Sequence, residues 1–198
     1  MKGNRVGDDN LYHGGGEYMK WIVTSLLMAA TMATAMSGST QAADQSGAEG
    51  IMAADFTVST LSGETFQLDA NAKRGKFILL NFWGLRCEAC LQELPHLNAI
   101  SKKYQGQVVV LGINVDGVDA GTLKDLMKEM EIHTDYTVVP DPQFVLVDMF
   151  KMKAAPLTLV IDPKKLIRYR HEGYGEGDEK ELENILKRAI DQGKAGAD

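Results

Sequence analysis

Residues 81–95 read NFWGLRCEACLQELP and contain both cysteines of the chain, Cys87 and Cys90. The run KFILLNF at residues 76–82 precedes them, and such a continuous apolar run is typical of a strand covered on both faces. Behind the cysteines, apolar residues recur at helical spacing as far as residue 104. The cysteines are therefore predicted to lie where a buried strand ends and a helix begins. The apolar face of this helix comprises Leu91, Leu94, Leu97, Ile100 and Tyr104.

This position favours redox chemistry at the two sulfurs. The free N–H groups and the dipole at a helix N-terminus stabilise an anion, so the pKa of the Cys87 thiol is expected to fall. Arg86 would assist the thiolate, whereas Glu88 would oppose it by like charge. With two residues between them, the sulfurs come within bonding reach on one helical turn. Cys87 would attack a partner disulfide, and the more buried Cys90 would resolve the mixed disulfide.

Other uses of the two cysteines are weighed against this one. A purely structural disulfide would close a four-residue loop and contribute only about 2 kcal/mol, against about 3 kcal/mol for a fifteen-residue loop. A zinc site normally needs four ligands, and the sequence has no second CxxC motif. Thiolates also suit Cu(I), so a copper site completed by His133 or His171 remains an alternative.

The rest of the chain alternates predicted strands and helices. Residues 55–69 (DFTVSTLSGETFQLD) carry alternating apolar positions around the turn SGE and predict a β-hairpin. This alternation implies an α/β sandwich with parallel central strands, to which a late hairpin adds an antiparallel edge. Beyond the first long helix, the predicted elements are a strand at 107–115, a helix at 119–131, a strand at 136–139, a short helix at 142–150, strands at 157–161 and 166–169, and a final helix from Asp178.

The stretch NFWGLRCEACLQELP resembles the active stretch of thioredoxin-fold proteins, in particular the exported TlpA/ResA-like group. DFTVSTLSGETFQL resembles the N-terminal hairpin of this group, and KMKAAPLTLVID (residues 151–162) resembles its cis-proline segment. The resemblance covers residues 55–192. It implies a thioredoxin-like sandwich, with a central mixed β-sheet flanked by helices and an N-terminal β-hairpin. It also implies thiol-disulfide oxidoreductase activity at a redox-active Cys87–Cys90 disulfide.

The resemblance further implies roles for residues outside the cysteine pair. Ala155-Pro156 would form a cis peptide opposite the cysteines, and its backbone would pair with an extended substrate segment. Trp83 is assigned with these two residues to substrate binding, although core packing alone would also explain it.

Glu93 is the third predicted catalytic residue. It falls inside the apolar arc of the helix with Cys90, so its carboxyl is expected to be shielded and its pKa raised. It would then exchange protons with the Cys90 thiol, as the glutamate at this place in ResA-like proteins is thought to do. The alternative is an ordinary exposed helix glutamate.

The sequence departs from the family at three positions near the cysteines. Arg86 stands where the family usually has tryptophan, and Ala89 replaces a frequent proline. Asn81 occupies the place of a buried aspartate in thioredoxins proper, though the exported group often has asparagine there. These departures bear on the redox potential and the partner and leave the reaction type intact.

Residues 1–43 are interpreted as a leader and residues 44–54 as a linker, followed by a thioredoxin-like domain at 55–198. Within the leader, residues 19–42 have the composition of a signal peptide: Lys20, an apolar run at 21–36, then small residues before a cut at Ala43. Residues 1–18 would be a spurious extension before a true start at Met19. Export would place the domain in the periplasm or another oxidising extracytoplasmic compartment, anchored to the membrane if the leader stays uncleaved.

The net charge of -6 argues against nucleic acid as a partner, since phosphate binding is chiefly cationic. The leading hypothesis is a periplasmic thiol-disulfide oxidoreductase that needs no cofactor or metal. It exchanges disulfides with exported proteins, chiefly as a reductant. Apocytochrome c is the family's best-known target, and a membrane thiol-disulfide reductase would supply electrons. A copper metallochaperone and a thiol peroxidase are the alternatives, the last ranked lowest because a Thr-x-x-Cys approach to the cysteine is missing.

Overall fold

The computed structural model describes residues 50–195. The predicted leader and residues 44–49 of the predicted linker lie outside the described residues. None of the described helices is both long enough and apolar enough to cross a bilayer. The elements are β1 (Thr57–Ser59), β2 (Thr65–Gln67), α1 (Leu68–Lys73), β3 (Phe77–Trp83), α2 (Glu88–Lys103), β4 (Val108–Asn114), α3 (Ala120–Glu129), β5 (Thr137–Pro140), α4 (Val145–Met149), β6 (Leu157–Ile161), β7 (Ile167–Glu172) and α5 (Asp178–Ala195).

A five-stranded mixed sheet with the order β5-β4-β3-β6-β7 forms the centre of the domain. β3 runs parallel to β4, and β4 runs parallel to β5. β6 is antiparallel to β3, and β7 is antiparallel to β6 at the other edge. β1 and β2 form a separate antiparallel pair. The predicted thioredoxin-like sandwich with an N-terminal hairpin is confirmed.

Two hydrophobic clusters cover the opposite faces of the sheet. α2, α3 and α5 contribute Leu94, Leu123 and Leu186 to one cluster, which also contains Leu79 of β3. The next residue, Leu80, belongs to the other cluster, together with residues of the hairpin, α1 and α4. All seven residues of β3 are buried, which is why this strand is apolar at every position except Asn81.

Three local features differ from the sequence-based expectations or refine them. The short helix α1 was not predicted, since six residues are too few to show a helical period. Pro95 lies inside α2 and does not end it, as the apolar period beyond it indicated. Residues 50–53 of the segment interpreted as a linker hydrogen-bond to the turn before β7 and to the start of that strand, through Lys165 and Ile167.

Candidate active site

Cys87 and Cys90 form a disulfide at the corner between β3 and α2. Cys87 is the N-cap residue of α2, and its Sγ accepts a hydrogen bond from the Cys90 amide at 3.2 Å. The Cα atoms of the pair are 5.2 Å apart. Cys87 is half-buried, whereas Cys90 exposes 0% of its surface. Cys87 is therefore the more accessible of the two cysteines, and Cys90 lies within the core.

The loop that carries Cys87 is held by a carboxylate from the neighbouring strand's end. The Leu85 amide donates to Asp116 Oδ2 at 2.8 Å, and the Asn114 side-chain amide donates to the same oxygen at 2.6 Å. The Cys87 amide closes the turn by donating to the Gly84 carbonyl at 3.3 Å. Asp116 was missed in the sequence. The available signal was two polar side chains, Asn114 and Asp116, at the end of a predicted buried strand.

The segment before β6 lies at the same edge of the sheet as the cysteine loop. Leu157, the first residue of β6, pairs with Phe82 near the end of β3. The Ala155-Pro156 peptide directly before it is cis, as the resemblance implied. Ala155 is half-buried, and its backbone amide and carbonyl form no hydrogen bond with other backbone groups of the described residues.

The predicted substrate contact through Trp83 has to be corrected. Its side chain is 0% exposed and belongs to the same buried cluster as Leu85 and Cys90. A docked protein has no access to it in this structure. Trp83 packs within the core beside the disulfide loop, which is the alternative explanation given for this residue from the sequence.

Glu93 is 3% exposed, so the alternative of an exposed helix glutamate is wrong. Its Oε2 accepts a hydrogen bond from the Asn81 side-chain amide at 2.8 Å, and its Oε1 accepts one from the Thr158 hydroxyl at 2.7 Å. Burial raises the pKa of the Glu93 carboxyl to about 7; the two hydrogen bonds lower the pKa, and the charge of Asp178 raises it further. The expected shielding of the carboxyl is confirmed, and the direction of its pKa change agrees with the expectation.

The two donors to Glu93 come from strands that pair directly. Asn81 of β3 and Thr158 of β6 are partners in the ladder, and their side chains hydrogen-bond to each other at 3.0 Å. Sequence reasoning named Asn81 only as a departure from thioredoxins and missed Thr158. The signal for Thr158 was a polar residue two places after the predicted cis-proline, in an otherwise apolar strand.

The histidines considered as copper ligands lie in different settings. His133 is exposed, whereas His171 of β7 is hydrogen-bonded to the Asp178 carboxylate at 3.0 Å. Within residues 50–195, no group of three or more His, Cys, Asp or Glu side chains is arranged to hold a metal ion.

Three comparisons connect the chain to known proteins. The model of the AhpC/TSA family matches residues 50–170. The chain is 30% identical to the thioredoxin-like protein YneN of Bacillus subtilis (strain 168), over 70% of this chain and 78% of that protein. It is 28% identical to the thiol-disulfide oxidoreductase ResA of Bacillus thuringiensis subsp. konkukian, over 69% of this chain and 75% of that protein.

The structure is also similar to a solved one, that of a candidate thiol:disulfide interchange protein DsbE from Chlorobium tepidum. The TM-score is 0.65 at 25% identity, and the match covers 72% of this chain and 97% of that one. The AhpC/TSA match over residues 50–170 includes the strand-to-helix corner with its two cysteines.

Proposed function

Because the chain belongs to the AhpC/TSA family and is a thioredoxin-like thiol-disulfide oxidoreductase, we propose that it exchanges disulfides with exported proteins through Cys87 and Cys90. The observation that carries this proposal is the disulfide at the helix N-terminus, with one sulfur half-buried and the other enclosed. This asymmetry suits an attacking sulfur and a resolving sulfur. The enzyme acts chiefly as a reductant.

The reaction begins from the reduced enzyme. The Cys87 thiolate attacks one sulfur of the partner's disulfide, that S–S bond breaks, and the released partner sulfur takes a proton. Cys90 then loses its proton and attacks the Cys87 sulfur of the mixed disulfide. The partner leaves as a dithiol and the enzyme keeps the Cys87–Cys90 disulfide. Two electrons have passed from enzyme to partner. The partner gains two protons: one balances the proton that Cys90 loses, and the other comes from solvent because Cys87 starts as a thiolate. An electron donor must then restore the reduced cysteines.

Glu93 serves the second step as the base that takes the Cys90 proton. It lies three residues after Cys90 on α2, so both side chains are on one face of the helix. A carboxyl with a pKa of about 7 is partly ionised near neutral pH and can both accept and return a proton. In the reverse reaction the protonated carboxyl would give its proton back to the leaving Cys90 thiolate.

The partner would dock as an extended segment beside the disulfide. The unpaired backbone groups of Ala155 at the cis peptide support this, since they offer hydrogen bonds to a passing strand. Pro156 is buried and would shape the site without contacting the partner directly.

Location and partners extend the proposal further. The composition of residues 19–42 supports export to the periplasm or an equivalent compartment, with membrane anchoring if the leader is retained. Apocytochrome c is the partner we propose to test first, with a membrane thiol-disulfide reductase as electron donor. The similarity to a protein named thiol-disulfide oxidoreductase ResA supports a partner that carries thiols or a disulfide.

A trapping experiment tests the proposal directly. The Cys90→Ser variant should retain the attacking sulfur and accumulate a mixed disulfide with a disulfide-bonded model peptide, detectable by mass spectrometry. The Cys87→Ser variant should form none, because its remaining sulfur is enclosed. Equal trapping by both variants, or by neither, would refute the assignment of roles.

Three further measurements separate the alternatives. A reduction potential of about -270 mV or lower supports a reductant, whereas a value near -120 mV would make the enzyme an oxidant. Rapid turnover of peroxide would favour a thiol peroxidase. Stoichiometric Cu(I) binding that is lost in His171→Ala or His133→Ala would favour a copper carrier.

The role of Glu93 has its own test. Glu93→Gln should abolish the inflection near pH 7 in the rate of mixed-disulfide resolution, whereas Glu88→Gln on the exposed side of the same helix should retain it. A pH profile unchanged in Glu93→Gln would remove Glu93 from the proton transfer.

A further inference from the structure

Three buried polar side-chain atoms lack a hydrogen-bond partner in the described part of the chain. They are Asn81 Oδ1, Trp83 Nε1 and Tyr136 Oη. Leaving such a group unpaired costs about 1–3 kcal/mol, and native proteins contain few of them. Three at one place therefore require a physical explanation.

The three groups gather around one glycine. Gly112 of β4 is the direct ladder partner of Asn81. A Cβ atom added to Gly112 would lie 2.8 Å from Tyr136 Cε2 and 3.1 Å from Trp83 Nε1. A side chain at this position would collide with the Tyr136 ring and crowd the Trp83 indole, so the glycine lets both rings approach the strand. Cε2 is one bond from the carbon that carries the hydroxyl, so Tyr136 Oη also lies close to Gly112.

Asn81 also connects these three side chains to the carboxyl of Glu93. Asn81 uses its amide nitrogen to donate to Glu93 and leaves its oxygen free. The Glu93 carboxylate accepts two hydrogen bonds and has room for more, since a carboxylate offers about four lone-pair positions. Burial raises the pKa of the Tyr136 phenol, and the charge of Glu93 raises it further, which agrees with their proximity.

The free groups match the bonding capacity of one water molecule. The indole N–H of Trp83 and the hydroxyl of Tyr136 are donors, while Asn81 Oδ1 is an acceptor. A water can accept two hydrogen bonds and donate two, and buried waters typically make about three bonds to otherwise unpaired groups. We propose that Trp83, Tyr136 and Asn81 form an internal water-binding site, and that this water donates a hydrogen bond to Glu93.

The bound water gives Glu93 a proton carrier. It also stabilises the ionised carboxylate against the cost of burial. This role in proton transfer rests on the proposed function of Glu93, whereas the binding site does not.

Other groups also act on the charge of Glu93. Thr158 of β6 donates to it, and the Asp178 carboxylate at the start of α5 opposes its ionisation while bonded to His171 of β7. Cys90 on the same helix is uncharged in the disulfide form. Tyr169 and Tyr174 also lie near enough for the charge of Glu93 to raise the pKa of each phenol.

The water itself is tested in the unaltered full chain. Water-selective NMR on the oxidised protein should show cross-relaxation between a long-lived water and the Trp83 Nε1 proton. The second indole signal, from Trp21, is identified with Trp21→Phe. Absence of any water contact to the Trp83 Nε1 proton would overturn the proposal.

Tyr136→Phe tests the coupling to Glu93 by removing a single oxygen. In protein labelled with ¹³C at the glutamate carboxyls, the Glu93 titration midpoint should move upward by about one pH unit, a tenfold change in the ionisation constant. Tyr104→Phe is the matched control. Tyr104 lies at the C-terminal end of α2, far from Glu93, and its hydroxyl donates to Glu183. The midpoint should not move there.

An unchanged midpoint in Tyr136→Phe, or an equal shift in both variants, would overturn the coupling. Because the titration is measured in the oxidised protein without a partner, the result does not depend on whether disulfide exchange with exported proteins occurs. Failure of the trapping experiment would refute the proposed function and leave the water site standing.

Discussion

The raised pKa of the Glu93 carboxyl makes the free energy of unfolding depend on pH. Its carboxyl has an ordinary pKa of 4.5, which burial raises to about 7 in the folded protein. An acid whose folded pKa is raised is destabilising once it ionises. The contribution of Glu93 to the free energy of unfolding is therefore most favourable below about pH 4.5, and it is lost as the pH rises to about 7. A shift of this size corresponds to about 3 kcal/mol.

Glu93→Gln should remove this dependence. We expect the free energy of unfolding of the parent to fall by about 3 kcal/mol between pH 4.5 and 7 relative to the variant. Urea unfolding at a series of pH values measures the difference. Glu88→Gln, at an exposed position of the same helix, should follow the parent. Parallel curves for parent and Glu93→Gln would contradict the raised pKa.

The setting of Glu93 was partly predictable from the sequence. Helical periodicity placed it on the apolar face of α2, and burial and a raised pKa followed from that. Its partners were not predictable, because Thr158 is 65 residues away in the chain and reaches Glu93 only through strand pairing. Tyr136 was hidden for the same reason, since its approach depends on Gly112 in another strand. Periodicity tells which face a residue occupies but not what lies opposite.

At the level of elements, the two predicted helices that follow β4 and β5 begin in different ways. Asp119 is an exposed N-cap of α3 whose Oδ1 accepts from the amides of Gly121 and Thr122. Asp141, 5% exposed, accepts from three successive amides at the start of α4, residues 145–147. A buried cap cannot be replaced by water.

The two caps should therefore differ in energetic effect. Asp119→Ala should lower the free energy of unfolding by about 1 kcal/mol, the usual value for an exposed cap. Asp141→Ala should lower it by about 3 kcal/mol, because it leaves amides unpaired in a buried position. Chemical denaturation of both variants measures the difference. Equal losses would mean that the Asp141 contacts contribute no more than an ordinary cap.

Long elements were predicted to within a few residues, while short ones were predicted poorly. α2 and β3 carry clear periods over many residues and are bounded by the cysteine loop. α1 has six residues and no side-chain cap, so neither periodicity nor a start signal marked it. α4 begins three residues later than the predicted 142–150 segment, because Asp141 caps it from four positions upstream of its first residue.

For the whole domain, the position of the N-terminal boundary depends on whether residues 50–54 pack against the domain or form a free linker. The Gly50 and Ala53 amides donate to the carbonyls of Ile167 and Lys165, and the Ile167 amide donates to the Ile51 carbonyl. Ala53 is buried at 4% exposure. These contacts are unlike those of a free linker, and they add a short extended segment beside the β6–β7 turn.

Shortened chains measure what this segment contributes. A chain that begins at Gly50 should be as stable as one that begins at Ala43. A chain that begins at Asp55 should lose about 3 kcal/mol of unfolding free energy with the three hydrogen bonds and the buried alanine. Thermal or urea unfolding of the three chains gives the comparison. Equal stability of all three would restore residues 44–54 as a simple linker.

The domain must also survive the opening of its own disulfide, since turnover alternates between the two redox states. The bridge closes a four-residue loop, so the chain-entropy estimate gives it about 2 kcal/mol of the total stability. The hydrophobic clusters on the two faces of the sheet do not depend on the disulfide, and they hold the domain together when it opens. We expect the reduced protein and the Cys87→Ser/Cys90→Ser variant to remain folded, with urea midpoints lowered by an amount that corresponds to about 2 kcal/mol. Circular dichroism during unfolding measures both. Loss of the folded state on reduction would make the disulfide structural and would remove the physical basis for a reversible exchange cycle.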